Sequence, residues 1–248
     1  MALLELEGVS KRFGQVVVAE EITFQLAEGE SLGIVGPNGA GKTSLFGLIS
    51  GDIRPDRGHI VLDGESLLTR SPSSRTHAGI GRTYQVPRPF EKLSVFENAL
   101  VAAHRGAELR GQAAYELAYR SLERTGLAAM ANRPAGALGL LHRKRLELAR
   151  ALSTAPRVLL LDEIAGGLTD PEVNELTAII GRLRDEGIAI IWIEHVVRAL
   201  LSTVTRLMCL ASGSIVADGD PHEVLSSEAV RSVYLGGKSI LTATVEGS

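Results

Sequence analysis

Gly36-Pro37-Asn38-Gly39-Ala40-Gly41-Lys42-Thr43 is the stretch whose reading decides the fold of this chain. It matches G-x-x-x-x-G-K-[ST] in full, and its flanks give the match its meaning. Ahead of it, Ser31-Leu32-Gly33-Ile34-Val35 is a short apolar run of strand character, and behind it a helix is predicted from near Lys42 to Ser50. Strand, glycine-rich loop and helix in that order form a phosphate cradle. The glycines let backbone N–H groups converge on phosphate oxygens, and the helix turns its positive end toward the same anion. Lys42 would reach the β- and γ-phosphates and the Thr43 hydroxyl would ligate Mg²⁺, with Ser44 beside it in the first helical turn. The loop implies binding of a nucleoside triphosphate.

Working outward, residues 1–35 read as β, with Leu4 and Leu6, Val16 and Val18, then Ile22, Phe24 and Leu26 alternating with polar neighbours. His59 to Leu62 is a further strand, residues 71–79 are turn-rich around Ser71-Pro72-Ser73-Ser74, and Gly79 to Gln85 returns as a strand. From Val86 the character changes. Pro87 and Pro89 open a segment that is helical by composition from Val95 to about Gly126. Residues 86–155 therefore read as a helical subdomain inserted into a β-rich core of residues 1–85 and 156–236, with a fraying tail over 237–248. The whole is one α/β domain.

The core resumes with Val158-Leu159-Leu160-Leu161, a continuous apolar run suited to a parallel strand covered on both faces. A helix follows with Thr169 or Asp170 as N-cap, Pro171 in its first turn and Gly187 as its stop. Ile188 to Ile193 is a second buried strand, residues 205–217 form two short strands around Ser212-Gly213, and Glu223 to Tyr234 is a terminal helix.

Composition narrows the classes. Of 248 residues, 45% are hydrophobic and 22% charged, a globular balance that excludes intrinsic disorder. A net charge of −3 supplies no field for nucleic acid or anionic lipid, and one Trp, four Tyr and five Phe are too few for a base-stacking platform. The single cysteine, Cys209, fits a reducing compartment. No apolar run approaches the ~18 residues needed to cross a bilayer, so a membrane role would come through a partner. The chain reads as soluble and cytoplasmic.

Two strand ends carry further chemistry. Asp162 and Glu163 close the Val158 to Leu161 run, where a parallel sheet faces its ligand crevice. Asp162 can hold Mg²⁺ and Glu163 can polarise an attacking water, although acidic residues also cap strands without further purpose. His195, after Glu194, is the one histidine of six placed at such an edge, which equally suits a structural histidine.

With these residues in view, residues 3–236 resemble an ATP-binding cassette (ABC) ATPase. The resemblance implies that Gln85, in Arg82-Thr83-Tyr84-Gln85, is the Q-loop glutamine between core and helical subdomain, a catalytic residue that senses the γ-phosphate and contacts the metal. It implies that Phe13, in Lys11-Arg12-Phe13-Gly14, stacks on adenine, and that His195 contacts the γ-phosphate. Within the family, Gly79-Ile80-Gly81-Arg82-Thr83-Tyr84-Gln85 and Glu194-His195-Val196-Val197-Arg198-Ala199 are most similar to ATPases of branched-chain or hydrophobic amino acid importers. The ending Val233-Tyr234-Leu235-Gly236 also resembles the ATPase of lipopolysaccharide exporters.

Departures from the family pattern shape the expectation. The signature, usually L-S-G-G-Q, reads Leu138-Gly139-Leu140-Leu141-His142, so the serine is Gly139 and the second glycine is Leu141. The aspartate usual after Leu168 is Thr169, and Ile164 stands where many relatives carry proline. The signature helix is expected to begin near His142, with Leu141 obstructing the approach to phosphate; His142-Arg143-Lys144-Arg145 reads either as a solvated basic face or as charge that partly restores phosphate attraction.

An intact phosphate loop beside an altered signature implies a heterodimer with a second ABC ATPase. Two transmembrane permease subunits and, indirectly, a substrate-binding protein would complete an importer on the cytoplasmic face of the inner membrane. ATP and Mg²⁺ are the implied ligands, and nucleic acid is not a partner. The competing readings are the exporter ATPase and a nucleotide-binding scaffold that does not hydrolyse ATP, against which the intact Glu163 argues.

Overall fold

The computed structural model describes residues 2–235, so the expected tail over 237–248 lies outside the described residues. In chain order the elements are β1 (Ala2–Phe13), β2 (Val16–Ala27), β3 (Ser31–Val35), α1 (Lys42–Ser50), β4 (Arg57–Leu62), β5 (Glu65–Ser66) and α2 (Pro72–His77). Next come β6 (Ile80–Arg82), α3 (Val95–Gly106), α4 (Gly111–Arg124), α5 (Leu140–Leu152), β7 (Val158–Asp162) and α6 (Asp170–Asp185). The chain continues through β8 (Ala189–Ile193), α7 (Val197–Leu201), β9 (Arg206–Ala211), β10 (Ser214–Gly219), α8 (Pro221–Ser226) and α9 (Glu228–Leu235).

Two sheets result. An antiparallel sheet has the order β2-β1-β4-β5, and a six-stranded sheet has the order β10-β9-β3-β8-β7-β6. Within the second, β3 runs parallel to β8 and β9, and β7 runs parallel to β8 and β6. All five residues of β3, β7 and β8 are buried, which explains why each reads as an unbroken apolar run rather than an alternation. The pleat still sorts them: Ile191 and Ile193 join the core that α1 shares with the antiparallel sheet, whereas Ile190 and Trp192 pack with Val173, Leu176 and Ile180 of α6. Helices α3, α4 and α5 enclose an apolar cluster of their own, including Val95, Ala118 and Leu146.

Parallel pairing has one consequence that governs the site. The C-terminal ends of β3, β6, β7 and β8 share an edge, so residues 36–44, Gln85, Asp162, Glu163 and His195 are delivered together.

Several local expectations need correction. The turn-rich stretch 71–79 contains a helix: the Ser71 hydroxyl accepts from Ser74 N and Pro72 occupies the first turn, a start signal that six residues are too few to back with periodicity. The strand over Gly79 to Gln85 is confined to Ile80–Arg82, while the helical segment from Val95 to about Gly126 consists of α3 and α4. The terminal helix is two, because Asp220 caps an earlier start at Pro221 and Ser227 interrupts it in an extended conformation. The signature helix begins at Leu140, two residues before His142.

One buried cation fixes the far end of α1. Arg75, 2% exposed, donates from Nη1 to the carbonyls of Leu48 (2.6 Å) and Ile49 (3.0 Å), capping the helix whose other end meets the phosphate loop. Hydrogen bonds from a charged donor contribute about 1.5–3 kcal/mol. Arg75→Met is therefore expected to lower unfolding free energy by about 2–4 kcal/mol in urea denaturation, and an unchanged midpoint would contradict this role.

Candidate functional site

The phosphate loop is shaped by what its glycines exclude. A Cβ on Gly36 would lie 2.1 Å from the Leu210 carbonyl oxygen, and one on Gly41 would lie 2.2 Å from that of Val18. Both sit at positive φ, so only glycine fits both the space and the backbone. Gly41 caps α1 without a side-chain partner, and the first turn carries no acid, which leaves the helix's positive end unneutralised. Lys42 Nζ donates to the carbonyls of Gly36 (2.7 Å) and Pro37 (3.0 Å), folding the side chain along the loop. Burial lowers its pKa, while Glu163, Cys209 and Asp162 act in the opposite direction. Residues 38–44, with Val16, Val18 and Glu163, line a cleft of about 300 Å³. Asn38, Gly39, Ala40, Thr43 and Ser44 thus share one concavity with the strand-end carboxylate.

Glu163 lines that cleft from the end of β7. Its φ of +47° is a left-handed value that side chains rarely adopt. Its backbone N–H donates to Ile193 O at 2.9 Å, linking the ends of β7 and β8. His195 Nε2 donates to Glu163 Oε1 at 2.7 Å, and Gln85 Nε2 donates to Oε2. Residues 78 and 32 positions away in sequence thus hold the two oxygens of one carboxylate. Asp162 is buried beside it, and burial raises its pKa against the opposing effect of Arg82, whose Nη2 lies 3.2 Å from Asp162 Oδ2.

Arg82 also donates to Ser50 Oγ and Asp52 Oδ2, and its guanidinium lies over the rings of Phe46 and Tyr84. Strand alternation around Arg82 gives no sign of this role, since its partners are 30 to 80 residues distant in sequence.

The remaining site residues are placed less centrally. Phe13 ends β1, is 52% exposed and has Lys11 Nζ 5.2 Å from its ring centroid; the hairpin's side chains that line the cleft are Val16 and Val18. In the altered signature, Leu138 is buried and Gly139 caps α5 in an extended conformation with no atom within 4 Å of a Cβ built on it. Leu141 is 8% exposed and packed inward, whereas Leu140 is 44% exposed, so the side chain presented outward is one position earlier than expected. The basic run is not a solvated face. Arg143 donates to the carbonyls of Leu138 and Gly136, Lys144 is buried, and Arg145 pairs with Glu175; His142 is half-buried at the start of the run. Thr169 caps α6, with Glu172 accepting from both its N–H and its hydroxyl.

The geometry agrees with comparison to known proteins. Residues 19–166 match the family model described as ABC transporter. The chain belongs to the ABC transporter ATPase family. The high-affinity branched-chain amino acid transport ATP-binding protein BraF of Pseudomonas aeruginosa is 34% identical over 94% of this chain and 98% of its own length. The lipopolysaccharide export system ATP-binding protein LptB of Haemophilus influenzae is 33% identical over 95% of this chain and 98% of its own length. Among solved structures, an ATP-binding cassette of an ABC transporter in its ADP conformation superimposes with a TM-score of 0.87 at 27% identity, covering 95% of this chain and 99% of that one. This protein is thus a nucleotide-binding ATPase subunit of a transporter. Among the described residues, no helix is long and apolar enough to cross a membrane.

Lys42→Ala removes the cation that the loop carbonyls hold in place. At about 1.5–3 kcal/mol for a charged contact, ATP affinity is expected to fall roughly 10- to 100-fold. Titration with a fluorescent ATP analogue measures this, and an affinity within twofold of wild type would contradict the loop assignment.

Proposed function

We propose that this chain is the ATP-hydrolysing subunit of a membrane importer for branched-chain or other hydrophobic amino acids or related small carboxylates. It would act on the cytoplasmic face in a heterodimer with a second ABC ATPase. The observation that carries the catalytic part is the Glu163 carboxylate held between Gln85 and His195 at the mouth of the phosphate cleft. In that arrangement Lys42 and the amides of the loop bind the phosphates, Glu163 orients and polarises the water, and His195 faces the γ-phosphate. Charge positioned in advance supplies most of the rate enhancement in such phosphoryl transfers.

The donor set suits Mg²⁺. Among the described residues no cluster of three or more His, Cys, Asp or Glu could hold a metal, whereas one carboxylate with hydroxyl and amide oxygens fits an ion that retains water and takes phosphate ligands. Asp162, Thr43 and Gln85 would hold it, and when bound it would neutralise charge on the β- and γ-phosphates.

Asymmetry follows from the other end of the molecule. Gly139 offers no hydroxyl and Leu140 projects from the first position of α5, so the signature that this chain would lend a partner's nucleotide is weak. The partner's signature would then complete the site built on Lys42 and Glu163. Permease subunits would dock on the segment around Pro87 to Phe96, where Val86 and Phe90 are exposed beside Gln85 and Arg150 holds the Arg88 carbonyl and the Phe90 ring. The importer assignment draws on similarity to BraF, and the comparable similarity to LptB makes lipopolysaccharide export the second reading.

The test is a reconstituted complex with the cognate membrane chains. Glu163→Gln is expected to keep ATP binding, reduce turnover at least 100-fold and accumulate a closed ATP-bound dimer. Wild-type complex should drive uptake of labelled leucine or a similar substrate and crosslink to permease through the 87–96 segment. Near-normal turnover in Glu163→Gln would refute the catalytic assignment, and extraction of lipopolysaccharide in place of amino acid uptake would refute the importer.

A further inference from the structure

Glu194 lies beside the site and has no part in the mechanism above. It is 2% exposed, and its partners are amides rather than a cation. Oε1 accepts from Ala165 N at 2.6 Å, while Oε2 accepts from His195 N at 3.0 Å and Val196 N at 3.4 Å. The first amide belongs to the turn that follows Glu163; the other two belong to the loop that carries His195. A single carboxylate thus spans the ends of β7 and β8, one oxygen to each loop.

The turn it grips is strained, with Glu163 at a φ of +47°. Such a backbone persists only where its surroundings over-determine it. Glu163 N is held by Ile193 O, and Lys144 Nζ from α5 lies 3.4 Å from Glu163 O. Lys144 is 4% exposed and close enough to Glu194 for their charges to interact. The Ala165 amide completes the set.

We infer that Glu194 is a positioning residue for ATP hydrolysis: its buried carboxylate, by accepting amides from both loops, sets the separation between the Glu163 carboxylate and the His195 imidazole. This inference rests on the reading of Glu163 as the group that orients the attacking water. With its carboxylate buried against three backbone amides, Glu194 acts through the two backbones. An isosteric glutamine cannot replace it. Whichever way the amide is turned, its NH₂ faces either the Ala165 N–H or the N–H groups of His195 and Val196, and two donors then oppose each other.

The experiment compares wild type, Glu194→Gln and Glu163→Gln in the assembled transporter, measuring kcat and KM for ATP together with binding of a fluorescent ATP analogue. Glu194→Gln is expected to lower kcat at least 10-fold while KM and analogue affinity stay within about twofold. In ¹⁵N-labelled chain, the Ala165 amide proton should move upfield as its charged acceptor is lost. Lys144→Met should lower kcat in the same selective way, and Lys144→Arg, which keeps cation and donors, should recover most of that loss. A kcat for Glu194→Gln within twofold of wild type would overturn the inference, as would a parallel loss of analogue binding, which marks a merely structural role. If Glu163→Gln itself turned over normally, the reading of Glu163 would fail. Loss in Glu163→Gln beside normal turnover in Glu194→Gln would overturn the positioning role alone.

Discussion

The convergence of Gln85, Glu163 and His195 on one carboxylate depends on parallel strand pairing. Because β3, β6, β7 and β8 run in the same direction, their C-terminal ends bring loops from residues 36, 85, 163 and 195 to one edge. Antiparallel placement of any one of them would carry its loop to the opposite edge, a strand's length away. Burial of every residue in β3, β7 and β8 is what fixes that arrangement.

The structure divides rigid from adjustable parts accordingly. The phosphate loop is locked: its glycines leave no room for a Cβ against the carbonyls of Leu210 and Val18, and Arg75 caps the far end of α1. The contacts of Glu163 with Gln85 and His195 are side-chain hydrogen bonds, with the His195 side chain 44% exposed. As side-chain contacts they can rearrange without moving the sheet. Arg82 holds Asp162 in a comparable way, through an ion pair beside which a cation and phosphate would have to enter.

How much of this was legible in the sequence depended on the range of the physics involved. The phosphate loop was readable because glycine spacing, strand and helix are all local. The buried strands were readable because covering both faces produces an unbroken apolar run. The α2 helix was missed although Ser71 and Pro72 signalled it, since six residues give no periodicity to weigh against a serine-rich turn. The terminal helix was read as one because its apolar spacing runs on past Ser227, where the backbone is extended. The basic run from His142 to Arg145 misled, because charge in a sequence suggests solvent, whereas Arg143, Lys144 and Arg145 find carbonyl or carboxylate partners. Arg82 and Glu194 were opaque because each has a partner distant in sequence: Asp52 and Asp162 lie 30 and 80 residues from Arg82, and the Ala165 amide lies 29 residues from Glu194.

The account's central claim is that a complete phosphate loop and carboxylate here need a signature from another chain. Family membership and the geometry of Gly139 and Leu140 together lead to it. The most direct test compares steady-state ATPase activity of this chain alone, of Gly139→Ser alone, and of the chain with its partner ATPase. Since space is open around Gly139, serine enters without strain, whereas Leu141 is packed and is left intact. A missing hydrogen bond to charged phosphate corresponds to about 1.5–3 kcal/mol, or roughly 10- to 100-fold in rate. The account predicts low activity for the chain alone, a partial gain in Gly139→Ser and a turnover at least 10-fold higher with the partner; unmodified chain alone matching the pair would contradict it.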